Sequence, residues 1–291
     1  MTNHDPAHAG WFADILPDDA DSATAAIAEG TTDQPRHWPE IAVESGFAAD
    51  VDDYYDRLHK ATLDATRTAV AEHERADDRQ LVHAIRSLDD CERTANELAE
   101  RAAEWAGGLF ADVDAGIEGA REVATYEPNT AAERRAVSLA TRVVDLADEA
   151  EAIREFIERT APAVAPNLAA MAGPVLASRL IALAGGLEAL AKKPSGTVQV
   201  LGAEDALFAH LEGHAPSPKH GIIFTHEYVR ETRPADRGSA ARALAGKLTI
   251  AARIDHYSGD HREGVHEDLR DRIATIRARA EDDEDGAEGD R

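Results

Sequence analysis

The sequence predicts an all-α protein built from a short N-terminal module, an antiparallel coiled-coil hairpin and a helical C-terminal domain. Three observations carry that prediction. From about Asp52 to Gly107 there is no proline and helix formers dominate. Apolar residues then recur in steps of three and four along two long segments. Finally, the stretch that reads best as a strand by propensity, "GIIFTHEYV" at residues 221–229, alternates poorly.

Residues 1–50 are rich in Asp, Ala and Pro and carry a few large apolar anchors, among them Trp11, Phe12, Ile15, Trp38 and Phe47. That suits a small module or a docking segment. Residues 51–161 form the expected coiled-coil domain. Its first helix places Leu81, Ile85, Leu88, Cys91, Ala95, Leu98, Ala102 and Trp105 on one face and stops at Gly107-Gly108. Its second reads Leu139, Val143, Leu146, Ala150, Ile153, Ile157, a heptad seam with Arg, Asp and Glu between. A connector of about 20 residues allows the two to fold back on each other. An ordinary bundle wall shares the pattern, but the helix lengths favour the coiled coil.

Residues 162–259 change character, to short apolar elements punctuated by Gly and Pro. "GPVLASRLIALAGGLEALAKKP" reads as a helix opened by Gly173-Pro174 and loosened at Gly185-Gly186. "DRGSAARALAGKLTIAARIDHY" is a strong helix with Ala241, Leu244, Leu248 and Ala251 as its apolar face. Arg242 and Arg253 fall on another face, three turns apart. Residues 260–291 end in "EDDEDGAEGDR" and are expected to be an acidic, partly disordered tail.

The net charge of −25 is unevenly spread. Residues 1–174 hold 15 basic and 36 acidic side chains, whereas residues 175–255 hold 10 and 8. Within that second segment, Val229–Arg253 has six basic residues against two acidic ones. Such an asymmetry points to an anionic partner. The acidity elsewhere, with Arg in place of Lys almost everywhere, is read as the hydrated surface of a halophile's cytosolic protein. Cys91 is the only cysteine, so an intramolecular disulfide and a cysteine-based zinc site are excluded. The N-terminus lacks the basic and apolar regions of a signal peptide, and the apolar stretch 161–191 is broken by prolines, Arg179 and Glu188. A cytoplasmic location and no membrane partner are therefore expected.

His210, His214, His220 and His226 are spaced as metal ligands could be, but no HExxH arrangement exists and "GHAPSP" breaks the helix between them. No phosphate-cradling glycine motif, no GxSxG elbow and no Cys–His pair recommends an enzyme, and no cofactor or metal is expected. The basic segment is the better lead. Arg230, Arg233, Arg237, Arg242, Lys247 and Arg253 could meet phosphates, and His220, Phe224, His226 and Tyr228 could stack on splayed bases. Equally, these arginines could simply pair with neighbouring acids.

"LAAMAGPVLASRLIALAGGLEALAKKPSGTVQVLGAEDALFAHL", then "PKHGIIFTHEYV" and "RGSAARALAGKLTIAARIDHYSG", closely resemble the Nop domain of the archaeal core proteins of box C/D small ribonucleoproteins, relatives of the nucleolar Nop proteins. "LDDCERTANELAERAAEW" resembles the coiled coil of the same family, and the likeness runs from about Leu81 to Gly259. It implies a non-catalytic scaffold. The Nop domain would bind a kink-turn of a guide RNA together with the ribosomal-protein-like kink-turn binder already on it. On the matching blocks, Gly202, Ala203, Glu204, Lys219, His220, Thr225 and His226, with Arg233, Arg237, Arg242 and Lys247, become the RNA-binding candidates. The coiled coil would pair two copies through Leu139, Val143, Leu146, Ile153 and Ile157. The N-terminal segment would dock fibrillarin, the methyltransferase that uses S-adenosylmethionine, with Trp11, Phe12 and Trp38 as anchors.

Two positions depart from the family pattern: Asp205 stands where lysine is usual in GAEKALF, and Thr225 where glutamine precedes the histidine. The region before the coiled coil is also shorter than in the family. A surface that evades acidity beside a phosphodiester backbone is physically sensible, and high salt would shift the balance of binding toward shape, stacking and protein burial. The competing readings are a Nop-domain adaptor without methyltransferase recruitment and a purely structural coiled-coil protein.

Overall fold

A computed structural model describes residues 10–30 and 36–288, and among these every regular element is helical. The chain divides into two compact units, Met1–Ala76 and Asp77–Arg291.

The first unit holds α1 (Ala20–Glu29), α2 (Trp38–Glu44) and α3 (Val51–Arg75). Acidic caps start two of them: the Asp19 carboxylate accepts the Ser22 N–H at 3.1 Å, and Asp50 accepts that of Asp53 at 2.8 Å. Each such cap is worth about 1 kcal/mol. The core is aromatic, with Phe12 stacked on Phe47 at 5.1 Å and Tyr54 edge-on to Phe12. Tyr54 comes from α3, which packs on α1 and α2. The division therefore lies at Ala76, not at the expected 50/51. No glycine or proline marks it. It is held instead by tertiary bonds at the start of the next helix: Asp78 Oδ2 accepts the Leu187 N–H at 3.0 Å, and an Arg79 Nη1 donates to Gly185 O at 3.3 Å.

In the second unit, α4 (Asp77–Gly107) and α6 (Ala131–Val164) form the hairpin, with α5 (Gly116–Val123) at its tip. The pairing is antiparallel, because Ala99, Ala102 and Ala106 near the end of α4 share a cluster with Ala140 and Val143 near the start of α6. Leu81, Ile85 and Leu88 likewise join Ala150, Ile157 and Ala161 at the other end. A capping box opens α6: Thr130 Oγ1 accepts the Glu133 N–H at 3.1 Å, while Glu133 Oε2 accepts that of Thr130 at 3.1 Å. The seam expected to pair two copies is spent within one chain. Val143 and Ile157 are fully buried against α4, and Leu139 and Ile153 pack on the same clusters. Fully buried side chains cannot meet a second copy, so these two are corrected to hairpin core; Leu146 is half-buried.

The expected boundary at 161/162 falls inside α6, which runs through Pro162 to Val164. The chain breaks instead at Ala165, just before Pro166, where helical geometry is disfavoured. Then come α7 (Pro166–Ala172), α8 (Pro174–Ala184), α9 (Leu187–Lys192), α10 (Ser195–Val200) and α11 (Glu204–Leu211). A 3₁₀ turn at Ile222–Thr225, α12 (Glu227–Arg230), α13 (Arg237–Tyr257) and α14 (Glu263–Glu288) complete the unit.

The centre of this unit is α13, whose Ala240, Ala241, Leu244, Ala245, Leu248, Ala251 and Ala252 are buried. Its small residues let neighbours approach closely. Asp255, 7% exposed, caps α7 by accepting the Asn167 and Leu168 N–H groups at 3.0 and 2.9 Å. The expected acidic tail is corrected: Leu269, Ile273 and Ile276 of α14 are buried in the same core, a periodic apolar face hidden among charges. Residues 289–291 lie outside the described residues. Among the described residues no single helix is long and apolar enough to cross a membrane. The bent pair α7–α8, turning by 118°, passes on composition, and its apolar side chains are largely in the core.

Candidate nucleic-acid interface

The predicted RNA-binding residues lie on three pieces of chain: the α10–α11 junction, the loop 219–226, and a stretch from Arg233, just before α13, to Lys247 at its middle. Backbone bonds strap the loop to the junction. Gly221 N–H donates to Gln199 O at 2.9 Å, Ile222 N–H to Leu201 O at 2.7 Å, and the Gln199 amide to Lys219 O at 2.7 Å. Glycine is required at 221, since a Cβ there would stand 1.9 Å from Leu201 O. Gly202 answers a different need, its φ of +79° being a left-handed conformation. Its N–H donates to Glu204 Oε1 at 2.9 Å, so Gly202, Ala203 and Glu204 act as one turn opening α11.

On that frame sits a flat, cationic platform. The His220 ring stacks on Phe224 with centroids 4.6 Å apart and 18° between planes. The Arg237 guanidinium lies 5.2 Å from the Phe224 centroid, a cation–π contact of about 1 kcal/mol. Two carbonyls hold Arg237 in place: Nε donates to Thr232 O at 3.0 Å and Nη2 to Arg230 O at 3.3 Å. Burial, followed by the charge of Arg237, lowers the His220 pKa, so this ring is kept neutral and able to stack. No carboxylate engages Arg237 among the described residues. The arrangement can stack a base and pair one phosphate.

His226, one of the RNA-binding candidates, acts within the fold as a clamp. Its Nδ1 accepts the Tyr228 N–H at 3.1 Å, which leaves Nε2 to carry the proton and donate to Met171 O at 3.0 Å. Both ring nitrogens are thus used inside the fold. Burial lowers its pKa. Thr225 is exposed, with its hydroxyl donating to Ile222 O at 2.9 Å, so it retains acceptor capacity. Lys219 is exposed, its stem near Gly238. Arg233 pairs with Asp236, and Lys247 Nζ with Asp268 on α14 at 2.8 Å, so both are engaged by acids of the fold. Arg242 is exposed and has no hydrogen bond or ion pair among the described residues. The four histidines weighed as ligands have separate partners: His210 Nδ1 lies 3.0 Å from Ala215 O, and His214 lies 3.4 Å from Glu212.

The N-terminal anchors pack within the first unit itself. Phe12 is 3% exposed and holds the first unit together, while Trp11 donates from Nε1 to the Tyr54 hydroxyl at 3.2 Å. Trp38 Nε1 is buried without a partner. The accessible apolar surface is elsewhere, on α3, where Val51, Tyr55, Leu63 and Val70 are all more than two-fifths exposed. Sequence reading missed these residues, although the spacing of Tyr55, Leu63 and Val70 puts those three on one face, away from Tyr54, Ala61 and Ala65.

A family model, Nop, described as "snoRNA binding domain, fibrillarin", matches residues 79–277. A NOP5 family protein of Methanocaldococcus jannaschii is 32% identical, covering 82% of this chain and 66% of its own length. Nucleolar protein 58 of Schizosaccharomyces pombe is 30% identical, covering 67% of this chain and 46% of its own. The chain thus spans less than two-thirds of these relatives. In a crystal structure of a fibrillarin/Nop5p complex, one chain matches with a TM-score of 0.52 and 27% identity, over 89% of this chain and 91% of that one.

Proposed function

The chain belongs to the Nop family, and from that premise we propose that it is the scaffold subunit of a box C/D guide ribonucleoprotein. In this reading the second unit binds a kink-turn of the guide RNA and the kink-turn-binding protein on it. The first unit recruits fibrillarin for guided 2′-O-methylation of ribosomal RNA. The chain itself is a non-catalytic subunit: it holds RNA and enzyme in register, and S-adenosylmethionine belongs to fibrillarin. Two copies join through the hairpin.

The observation that best supports RNA binding is the His220–Phe224–Arg237 platform. It offers an aromatic stack and an arginine held by carbonyls, on a chain of net charge −25. An acidic surface there would repel phosphate. For fibrillarin, the support is the family description and the exposed apolar face of α3.

The test is an electrophoretic shift at high salt, using a box C/D RNA with and without the kink-turn binder and adding this protein last. A supershift only when the binder is present is expected. A shift independent of the binder, or none at all, would refute composite recognition.

A further inference from the structure

The outward stripe of α13 extends this interface: we infer that Arg242, Gly246, Ile250, Arg253 and Tyr257 form a second track for the RNA phosphodiester backbone, beyond the platform. The inference rests on the reading of the chain as an RNA-binding scaffold and deepens it. These residues follow one another in steps of four, four, three and four, so they share a face. The buried alanines and leucines of the helix occupy the opposite side.

Charge is the first argument. α13 carries Arg237, Arg242, Lys247 and Arg253, and its single acid, Asp255, is buried beneath Asn167 and Leu168. No acid therefore faces outward from this helix, in a chain of net charge −25. Most arginines elsewhere are matched by carboxylates, as Arg179 is by Asp89 and Arg121 by Asp148. Arg242 and Arg253 are exposed and have no acidic partner among the described residues. The reading in which arginines merely neutralise local acids fails at these two. Arg253 is also oriented: its Nε donates to Ala191 O at 3.0 Å, beside Lys192 and Lys193. Over eleven residues the two side chains leave the helix about 16 Å apart along its axis, enough to meet separate phosphates.

Gly246 is the second argument. Glycine is unfavourable in a helix interior, and a Cβ here would meet nothing within 4 Å, so internal packing does not demand it. What it provides is a flat spot between the arginines, where another backbone can come close. Ile250 and Tyr257, 41% and 68% exposed, supply apolar and aromatic surface for sugars and bases. The stripe continues the helix whose first residue, Arg237, already belongs to the platform.

The experiment uses the full chain with a box C/D RNA carrying its kink-turn binder, and measures affinity at several salt concentrations. Arg242→Gln and Arg253→Gln are each expected to weaken binding about 5- to 10-fold and to reduce the salt slope by about one. Gly246→Gln should raise the melting temperature yet weaken binding, a pairing that a purely structural role would not produce. Arg237→Glu is the reference for the platform. If it alone impairs assembly, the stripe is overturned and the scaffold reading survives. If neither set matters, the reading itself falls. If stripe variants lose affinity only when the kink-turn binder is present, with the salt slope unchanged, the surface takes a protein and the RNA track is wrong.

Discussion

His226 shows how one side chain can shape the proposed RNA surface from inside the fold. Its neutral ring ties the loop 219–226 to α7 through Met171 and caps α12 through Tyr228. Protonating Nδ1 would abolish its role as acceptor. Burial lowers the pKa in the folded state, with the neighbouring Glu227 opposing and His266 assisting. The sign follows: the unfolded chain binds the proton more readily, so the stabilisation is complete above about pH 6.5 and is lost as pH falls below it. The denaturation midpoint should therefore drop between about pH 7.5 and about pH 5.5, and His226→Gln should flatten that drop. An unchanged pH profile in the variant would exclude the clamp. The sequence placed this histidine in the right block but could not reveal its partners, because Met171 is remote in the chain. Arg237 was better exposed to sequence reasoning, since a positive cluster in an acidic chain needs no tertiary knowledge. Lys247 and Arg233 carry acid partners that a count of charges cannot assign: Asp268 lies on another helix, and Asp236, though counted, is not marked by the count as the partner of Arg233.

The helices themselves were readable wherever one face is apolar throughout, as in the hairpin and α13. The all-α class holds among the described residues, and the family match includes the segment on which the resemblance rested. The break at Ala76 escaped notice because Asp78 and Arg79 anchor α4 through bonds to residues more than a hundred positions away. The apolar face of α14 was masked by the acids around it. For the hairpin, periodicity identified a seam without saying which helix would fill it; α4 does, within the same chain. This predicts two separable phenotypes. Ile157→Ala should destabilise the fold by about 2–5 kcal/mol, seen as a lower melting temperature. Trp105 remains 44% exposed at the end of α4. Trp105→Glu should leave the melting temperature nearly unchanged and shift sedimentation toward monomer. A dimer that survives this substitution would move self-association off the hairpin tip.

At the scale of the whole molecule, the two units divide the proposed labour, and their boundary sets the useful truncation. Removing residues 1–76 should abolish fibrillarin pull-down and leave RNA assembly intact, because α3, with Tyr55 and Leu63 on its exposed face, belongs to the first unit. Retained pull-down would place the enzyme's dock on the second unit. The hairpin has a further consequence. Its arms of 31 and 34 residues are about 46 and 51 Å long, and they are knitted from end to end by alanine, valine and leucine. It is a gauge block: its length is written in residue number. Seven residues added to each arm would lengthen it by about 10 Å with nearly the same face forward. In the proposed dimer, were it joined at the tips, the separation of the two proposed RNA platforms would then grow by up to about twice that. The interval at which a guide is gripped would in this way be inherited as a count of helical turns.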